Sequence, residues 1–236
     1  MTQLSIIALS GAPEIRSGDS VAEALMASVS AMGLTLDNGD VVTVTSKVVS
    51  KAEGRVVPFD GTDQHKENLI LSESRRVLRR RGTLMIVETH HGFICANAGI
   101  DLSNTDEGTA VLLPVDPDKS ARKIRGDIQR ALNIDVAVVV TDTFGRVWRQ
   151  GVTDVAIGVA GLKPVDDLRG TPDHTGRILE ATEVAIGDEI ASAANLVLGK
   201  AARTPFALLR GIDSRHFGTA SVSEHLIRKA HEDLFR

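Results

Sequence analysis

The chain of 236 residues has no tyrosine, one tryptophan and six phenylalanines, so aromatic residues make up only 3% of it. Its core must therefore be built from valine, isoleucine, leucine and alanine, and aromatic platforms for stacking nucleic-acid bases are not expected. With a single cysteine, Cys95, the chain cannot form an internal disulfide. A lone cysteine in an apolar segment is more often buried than nucleophilic, and we expect the same of Cys95.

Several longer sequence features are missing as well. There is no signal peptide and no apolar run long enough to span a membrane, which predicts a cytoplasmic protein without a membrane partner. The net charge of -4 argues against a nucleic-acid partner, although a small anionic ligand would need only a local cluster of cations. Neither a P-loop nor a single G-x-G triplet is present, so a nucleotide would have to be bound in another way.

Residues 137–154 are the most informative stretch of the chain. Val136–Val140 is apolar and β-branched, which is typical of a buried strand. Oxygen-bearing side chains and two arginines follow at once: Thr141, Asp142, Thr143, Arg146 and Arg149. A carboxylate at a strand end can hold a divalent metal, and guanidinium groups bind phosphate oxygens, so the pattern suits a metal-bound polyphosphate. The alternative is a strand that ends in a polar turn with an aspartate as a helix cap.

A set of regularly spaced cations follows the predicted strand Val41–Thr45. Lys47, Lys51 and Arg55 recur every four residues and would share one face of a helix. A cationic face that begins at a strand end is a plausible phosphate site. The alternative is a solvated basic face without a ligand.

A second polar segment contains Asp101, Ser103 and Asn104 directly after Gly99. Its alternating oxygen side chains resemble a calcium loop, but the glycine and the distal glutamate of an EF-hand are missing at the required positions. We therefore do not interpret this segment as an EF-hand.

Hydrophobic periodicity predicts the remaining elements. The predicted strands are Leu4–Leu9, Val41–Thr45, Thr83–Glu88, Val111–Val115, Val136–Val140 and Pro205–Leu209. The predicted helices are Ser20–Met32, Glu67–Arg81, Ser120–Leu132, Glu180–Leu198 and His225–Arg236. No internal repeat, low-complexity segment or linker interrupts the chain, which predicts a single unit over residues 1–236.

Blocks along nearly the whole chain carry a resemblance to a known family. They lie at 39–42, 45–55, 98–104, 113–117, 141–151, 185–194, 199–200, 210–211 and 232–236. The most specific block is Thr-Asp-Thr-Phe-Gly-Arg-Val-Trp-Arg-Gln-Gly at 141–151. In these blocks and their order, the chain resembles the coenzyme F420-0:L-glutamate ligases, the γ-glutamyl ligases of deazaflavin coenzyme biosynthesis. Some relatives are fused to a flavin-dependent reductase, an activity not expected here.

The resemblance implies an α+β fold, with mixed sheets and helices in two intertwined lobes whose boundaries stay open. It also implies a homodimer. The implied small-molecule partners are F420-0, L-glutamate and GTP as co-substrate. Two divalent ions, Mg or Mn, would assist, and the resemblance leaves room for potassium.

The resemblance also assigns roles residue by residue. Metal ligands would be Asp101, Asp142 and Thr143. Nucleotide contacts would come from Ala12, Pro13, Glu14, Ile15, Val42, Thr43, Lys47, Asn104, Arg210 and Gly211. Asp101 and Asp142 would also count as catalytic residues, together with Arg146 and Arg149.

The implied reaction joins L-glutamate to the lactyl carboxylate of F420-0 through an acyl phosphate. No protein nucleophile is needed, and a base for the glutamate amine stays unassigned, with Glu183, Asp188 and Glu189 as candidates. Two alternatives remain open. One is a related metal-dependent acid–amino acid ligase that acts on another acceptor. The other is a nucleotide-binding sensor, which would be expected to lack the metal carboxylates.

Overall fold

The computed structural model describes residues 3–103, 106–199 and 203–234. The strands there are β1 (Ser5–Leu9), β2 (Val41–Thr45), β3 (Val56–Pro58), β4 (Ser74–Arg81), β5 (Leu84–Thr89), β6 (Ile94–Ala96), β7 (Thr109–Val111), β8 (Ala137–Gly145), β9 (Val152–Ala160), β10 (Asp166–Asp167), β11 (Glu183–Val184) and β12 (Phe206–Arg210). The α-helices are α1 (Val21–Ala31), α2 (Ser46–Ala52), α3 (Asp63–Ser72), α4 (Pro117–Leu132), α5 (Ile186–Leu198) and α6 (Val222–His225). Within these ranges, no helix is both long and apolar enough to cross a membrane.

A mixed five-stranded sheet forms the centre of the molecule, in the order β1-β12-β2-β8-β9. Its only parallel pair is β2 with β8, and the other neighbours are antiparallel. Residues 137–140 of β8 are completely buried, as their β-branched, apolar composition predicts. Because helices pack against a mixed sheet, the expected α+β class is confirmed.

Helices cover the central sheet and begin at recognisable caps. The side chain of Ser20 accepts a hydrogen bond from the Glu23 amide at the start of α1. Asp116 caps α4 in the same way, and Pro117 occupies its first turn, where a missing amide hydrogen costs nothing. Helix α4 packs on β8 and β9, and α5 packs on β9, β1 and β12.

A smaller sheet, in the order β4-β5-β6, has its own hydrophobic cluster. This cluster consists of Ile70, Met85, Val87 and Ala98, separate from the main core. Its existence fits the expectation of a second lobe, while the intertwining of two lobes stays a prediction.

Five sequence predictions are wrong in their extent. The strand predicted over Val111–Val115 keeps only its first residue, because β7 ends at Val111. The helix predicted over Glu67–Arg81 ends at Ser72, and β4 replaces its second half by pairing with β5. The arginine-rich segment forms a strand because two glutamates lie within reach of its side chains. Arg76 donates a hydrogen bond to Glu88 on β5, and Arg80 donates one to Glu67 on α3. Long-range pairing of this kind leaves no local periodic signal.

The other three predictions failed at segment ends. Strand β8 continues to Gly145 because residues 141–145 pair with β9 in a hairpin. The helix predicted from Glu180 begins only at Ile186, since residues 183–184 pair with β10 instead. The helix predicted over His225–Arg236 is wrong within the described residues: α6 (Val222–His225) ends where it was expected to begin, and only a short 3₁₀ turn follows, at Ala230–Glu232.

The contact of α4 with β9 depends on Gly158. A Cβ atom at this position would lie 2.3 Å from both the carbonyl carbon and the oxygen of Pro117. Asp118, next in the chain, is buried and accepts hydrogen bonds from the amides of Val159 and Val222. The first turn of α4 is therefore fixed against the edge strand by backbone contact.

We predict that Gly158→Ala lowers the free energy of unfolding by about 3 kcal/mol, because overpacking against backbone cannot be relieved by a side-chain rotation. For a chain of this size, the melting temperature should fall by roughly 10 °C. The control is Gly126→Ala within α4, where nothing lies within 4 Å of the added methyl group. That change should raise stability by up to about 1 kcal/mol. Equal melting temperatures for Gly158→Ala and the unaltered protein would contradict this account of the packing.

Candidate active site

Two parallel strands bring the candidate site residues to one edge of the central sheet. In the β2–β8 register, Thr45 lies opposite Thr141. The next residues along the two chains, Ser46 and Asp142, therefore lie side by side. Ser46, the first residue of α2, donates a hydrogen bond from Oγ to Asp142 Oδ1 at 2.8 Å. The two segments that stood out in the sequence thus meet directly.

Asp101 joins this edge from a segment that pairs with the end of β7. Its backbone pairs with Val111 through two hydrogen bonds of 2.9 Å, and its Oδ2 lies 2.7 Å from Lys47 Nζ. Lys47 also donates to the carbonyl of Ser103 at 2.6 Å. Burial alone would raise the pKa of Asp101, but hydrogen bonds from Lys47 and Ser103 outweigh it, so the pKa is lowered. Asp101 is therefore held as a carboxylate.

Asp142 is in the opposite electrostatic situation. Burial raises its pKa to about 7, and this rise is opposed by the hydrogen bonds from Ser46 and the Thr143 amide and reinforced by the charges of Asp154 and Asp101. Thr143 donates its hydroxyl proton to Asp154 Oδ1 at 2.6 Å. Because its proton is used in this bond, the Thr143 hydroxyl can interact with a ligand only through the lone pairs of its oxygen. Asp142 therefore keeps its proton up to about neutral pH, and no described cation pairs with it.

A divalent ion fits this arrangement. Among the described residues, Asp142 has no ion pair, and no three His, Cys, Asp or Glu side chains form a metal-binding cluster. An ion held by Asp142 would complete its shell with hydroxyl and phosphate oxygens, which are the hard ligands that Mg and Mn take. Repulsion among the carboxylates would then become attraction.

The loop that follows β1 also reaches this edge. Glu14 Oε1 lies 2.5 Å from Lys51 Nζ on α2, four residues after Lys47. The hydrogen bond from Lys51 lowers the pKa of Glu14, with further attraction from Arg203 and Arg16. A group of cations therefore lies beside the carboxylate cluster, by which we mean Asp101 and Asp142, as a polyphosphate site requires.

Comparison with known proteins agrees with this geometry. The model of the family described as F420-0:Gamma-glutamyl ligase matches residues 11–211. The chain is 39% identical over 249 residues to the Coenzyme F420:L-glutamate ligase of Methanothermobacter thermautotrophicus, with 99% of each chain covered. It is 38% identical over 241 residues to that of Methanopyrus kandleri, with 94% of each covered. This chain belongs to the F420-0:γ-glutamyl ligase family. A further relative, from Archaeoglobus fulgidus, is 36% identical over 250 residues, with 99% of this chain and 97% of the relative covered.

In this family member, several predicted site residues lie apart from the cluster. The side chains of Val42 and Thr43 are completely buried within β2. Arg210 lies at the other end of the sheet, where it makes two hydrogen bonds to the buried Asp40. Gly211 lies beside it, against the carbonyl of Gln3. The structure does not bring these four residues to Lys47 and Asp142, and their nucleotide contacts stay predictions.

Three further groups of residues complete the comparison with the sequence. Arg146 and Arg149 lie exposed on the β8–β9 hairpin, and a nitrogen of Arg146 donates to the carbonyl of Gln150. Pro13 is exposed and Ile15 is buried on the loop that carries Glu14, while Ala12 packs partly against the core. Asn104 lies outside the described residues.

Two other sequence interpretations concern residues near the site. Cys95 is buried, and burial together with Asp142 raises the pKa of its thiol to about 12, which fits an apolar role and not a nucleophilic one. Arg55 does not share the helical face of Lys47 because α2 ends at Ala52 and Gly54 turns the chain. Instead, Arg55 binds Glu73 at 2.5 Å.

Sequence reasoning missed Ser46, Asp154 and Arg203. Ser46 lies within the block 45–55, but a serine beside a lysine carries no signal until the register of β2 with β8 is known. Asp154 reaches Thr143 only through the β8–β9 hairpin, and Arg203 reaches Glu14 only across the end of the sheet. All three depend on contacts between distant parts of the chain.

The raised pKa of Asp142 leads to a prediction about pH and stability. The folded protein releases this proton only near pH 7, whereas an unfolded aspartate releases it near pH 4. The contribution of Asp142 to stability is therefore present at low pH and lost as the pH rises between these values. Without metal, we expect Asp142→Asn to melt a few degrees above the unaltered protein at pH 8, and to show little gain at pH 5.

The matched control is Asp63→Asn, an exposed aspartate at the start of α3. Its effect on the melting temperature should be the same at both pH values. Scanning calorimetry in a chelator at pH 5 and pH 8 measures the four differences. A gain for Asp142→Asn that does not depend on pH would contradict the assigned electrostatics.

Proposed function

We propose that this protein ligates L-glutamate to the lactyl carboxylate of coenzyme F420-0, using GTP and a divalent metal ion, through an acyl-phosphate intermediate. Membership of the F420-0:γ-glutamyl ligase family, and its relatives' description as coenzyme F420:L-glutamate ligases, support the substrates. The observation that carries the mechanism is the meeting of Lys47, Asp101 and Asp142 at one edge of the sheet. A cation beside two carboxylates is the composition expected for a metal-bound nucleotide.

Activation is needed because a free carboxylate is a poor acyl donor. In the proposed reaction, a carboxylate oxygen of F420-0 attacks the γ-phosphorus of GTP, the bond to the bridging oxygen breaks, and GDP leaves. The α-amine of L-glutamate then attacks the carbonyl carbon of the acyl phosphate. The new amide bond forms as the amine loses a proton and inorganic phosphate departs.

The residues have distinct roles in this scheme. Lys47 would bind phosphate oxygens and neutralise the charge that develops during transfer. Asp101, Asp142 and the hydroxyl of Thr143 would hold divalent ions, Mg or Mn, and Ser46 would fix the orientation of Asp142 through its hydrogen bond. When bound, a divalent ion supplies charge neutralisation at the terminal phosphates. The scheme also accommodates potassium as an additional ion.

The cations around Glu14 extend the site along the nucleotide. Lys51 lies one helical turn after Lys47, so both ammonium groups project from the same side of α2. Glu14 and Arg203 lie beside Lys51. We assign the loop containing Ala12, Pro13, Glu14 and Ile15 to the nucleotide on this basis. Arg146 and Arg149 would supply further guanidinium groups from the neighbouring hairpin.

The reaction predicts defined products. Incubation of F420-0 with the protein, L-glutamate, GTP and Mn²⁺ should give a product heavier by at least one glutamyl residue, detected by mass spectrometry. GDP and phosphate should appear in step with it. With oxygen-18 in the acceptor carboxylate, one label should appear in the released phosphate. Release of GMP and pyrophosphate, or of unlabelled phosphate, would refute the acyl-phosphate route.

A second prediction concerns Lys47. Lys47→Ala should weaken GTP binding by roughly 10- to 100-fold, because a charge-assisted hydrogen bond contributes about 1.5–3 kcal/mol. The melting temperature of the ligand-free protein should change little, since the Lys47–Asp101 pair is partly exposed. Lys123→Ala is the control, because Lys123 is exposed on α4 and pairs only locally with Asp127. Isothermal titration with GTP measures both; equal affinities for the two variants would remove Lys47 from the nucleotide site.

We also propose that the protein is a homodimer. The support is the resemblance to the family, which implies a homodimer. Trp148 is 86% exposed and Leu196 85% exposed, so large apolar side chains are available at the surface for such a contact. Light scattering should give a mass about twice the 25.1 kDa of the chain. A mass of one chain at micromolar concentration would contradict the dimer.

A further inference from the structure

A cavity lies close to the carboxylate cluster. It is a cleft of about 210 Å³ between the sheet edge and the chain that follows α6. Its walls are mostly apolar and include Phe93, Phe144, Val155 and Leu226. The rings of Phe93 and Phe144 pack edge to face, with their centroids 5.9 Å apart. None of these residues was assigned a role in nucleotide or metal binding.

The register of the β8–β9 hairpin places this cleft next to Asp142. Val155 is the direct partner of Asp142 across the two strands, and Ala156 is the partner of Thr141. Phe144 lies two residues beyond Asp142 and therefore on the same face of β8. Since neighbouring strands lie about 5 Å apart, the cleft begins about one strand spacing from the candidate metal site.

Two opposite charges line the cleft without partners of opposite charge. Asp188 lies in the first turn of α5, half-buried, and its Oδ1 accepts a hydrogen bond from the Ala156 amide at 2.9 Å. It forms no ion pair with any described residue. Arg228 is exposed on the facing segment, and its side chain likewise has no partner in the part of the chain that the structure describes. Asp233, which also lines the cleft, is already engaged in an interaction.

This distribution of charge selects a class of ligand. A simple anion would be repelled by Asp188 and a simple cation by Arg228, whereas a zwitterion with an apolar stem would satisfy both groups and the walls. An amino acid has this chemistry and fits within the volume. Burial raises the pKa of Asp188, and a bound ammonium group would offset that cost by pairing with the carboxylate.

We infer that the cleft binds free L-glutamate, with Asp188 holding the α-ammonium group and Arg228 a carboxylate. The inference rests on the proposed function, since it uses the amino acid of that reaction. It places the amine beside β9, the strand that pairs with the strand carrying Asp142. It also separates the three acidic candidates: Glu183 is exposed and pairs with Arg169, and Glu189 is exposed and does not line the cleft.

The test compares Asp188→Asn and Arg228→Gln with the unaltered protein. Asparagine keeps the oxygen that accepts the Ala156 amide, and Arg228 is exposed, so both variants should fold with melting temperatures close to that of the unaltered protein. Glu189→Gln is the matched control on the same turn of α5. L-Glutamate binding is measured by calorimetry in the presence of Mn²⁺ and a non-hydrolysable GTP analogue.

We expect Asp188→Asn and Arg228→Gln each to weaken L-glutamate binding at least tenfold, while Glu189→Gln and the affinity for the GTP analogue stay within twofold. Unchanged glutamate affinity in both variants would overturn the inference, and so would an absence of glutamate binding to the unaltered protein. In turnover assays, KM for L-glutamate should rise in the same two variants while KM for GTP does not.

A second readout separates this inference from the proposed function. Hydroxylamine can replace the amino acid as the nucleophile toward an acyl phosphate and needs no glutamate site. Asp188→Asn should therefore form F420-0 hydroxamate at the rate of the unaltered protein while its ligation of glutamate falls. Loss of both reactions in this variant would make Asp188 part of activation instead and would overturn the inference. If the unaltered protein binds glutamate through these residues but forms neither product, the amino-acid site stands and the proposed function fails.

Discussion

The parallel pairing of β2 with β8 is the constraint on which the site depends. It is the one parallel contact in the central sheet as described, and its strands are buried on both sides, so the register is fixed by the packing of valine side chains. A slip by one residue would turn Asp142 to the other face of the sheet and separate it from Ser46. The hydrogen bond between these two residues is thus a consequence of core packing, and the position of the candidate metal ligand is as rigid as the core itself.

The carboxylates of this rigid site differ in how their charges are compensated. Lys47 pairs with Asp101, whereas Asp142 accepts hydrogen bonds from Ser46 and the Thr143 amide and forms no ion pair with a described residue. The nearby charge of Asp154 raises the pKa of Asp142 further. Burying carboxylates in this way costs stability unless a cation arrives. The same cost becomes binding energy when a divalent ion enters, because the carboxylates are already desolvated and oriented. A site of this kind favours ligands that bring positive charge, and a nucleotide that carries its metal satisfies both the carboxylates and the nearby lysines.

Local features were predictable from the sequence, and features that depend on distant contacts were not. The buried half of β8 and the serine cap of α1 follow from composition and spacing within a few residues. The extended conformation of β4 could not be predicted, because it depends on pairing with β5 and on the charges of Glu67 and Glu88. Within the candidate site, Lys47, Asp101 and Asp142 were predicted because their residue types match phosphate and metal chemistry and because the blocks around them resemble one family. The structure places them close together, while their ligands stay predictions. Asp188 stood among three equal candidates until the fold placed it in the cleft.

Strand β8 separates two chemically different halves of the candidate site. On the β2 side lie Lys47 and the other cations, which suit phosphate. On the β9 side lies the apolar cleft with Asp188 and Arg228, neither of which forms an ion pair with a described residue. A reaction through an acyl phosphate needs both halves at one carbon atom, since the carbon that is activated by phosphoryl transfer is the carbon that the amine attacks. In the proposed reaction, Asp142 on the shared strand would allow that carbon to stay where it is while the nucleophile approaches from the other side. The proposed acyl phosphate would then not need to move between sites, which would limit its exposure to water and thus its loss by hydrolysis.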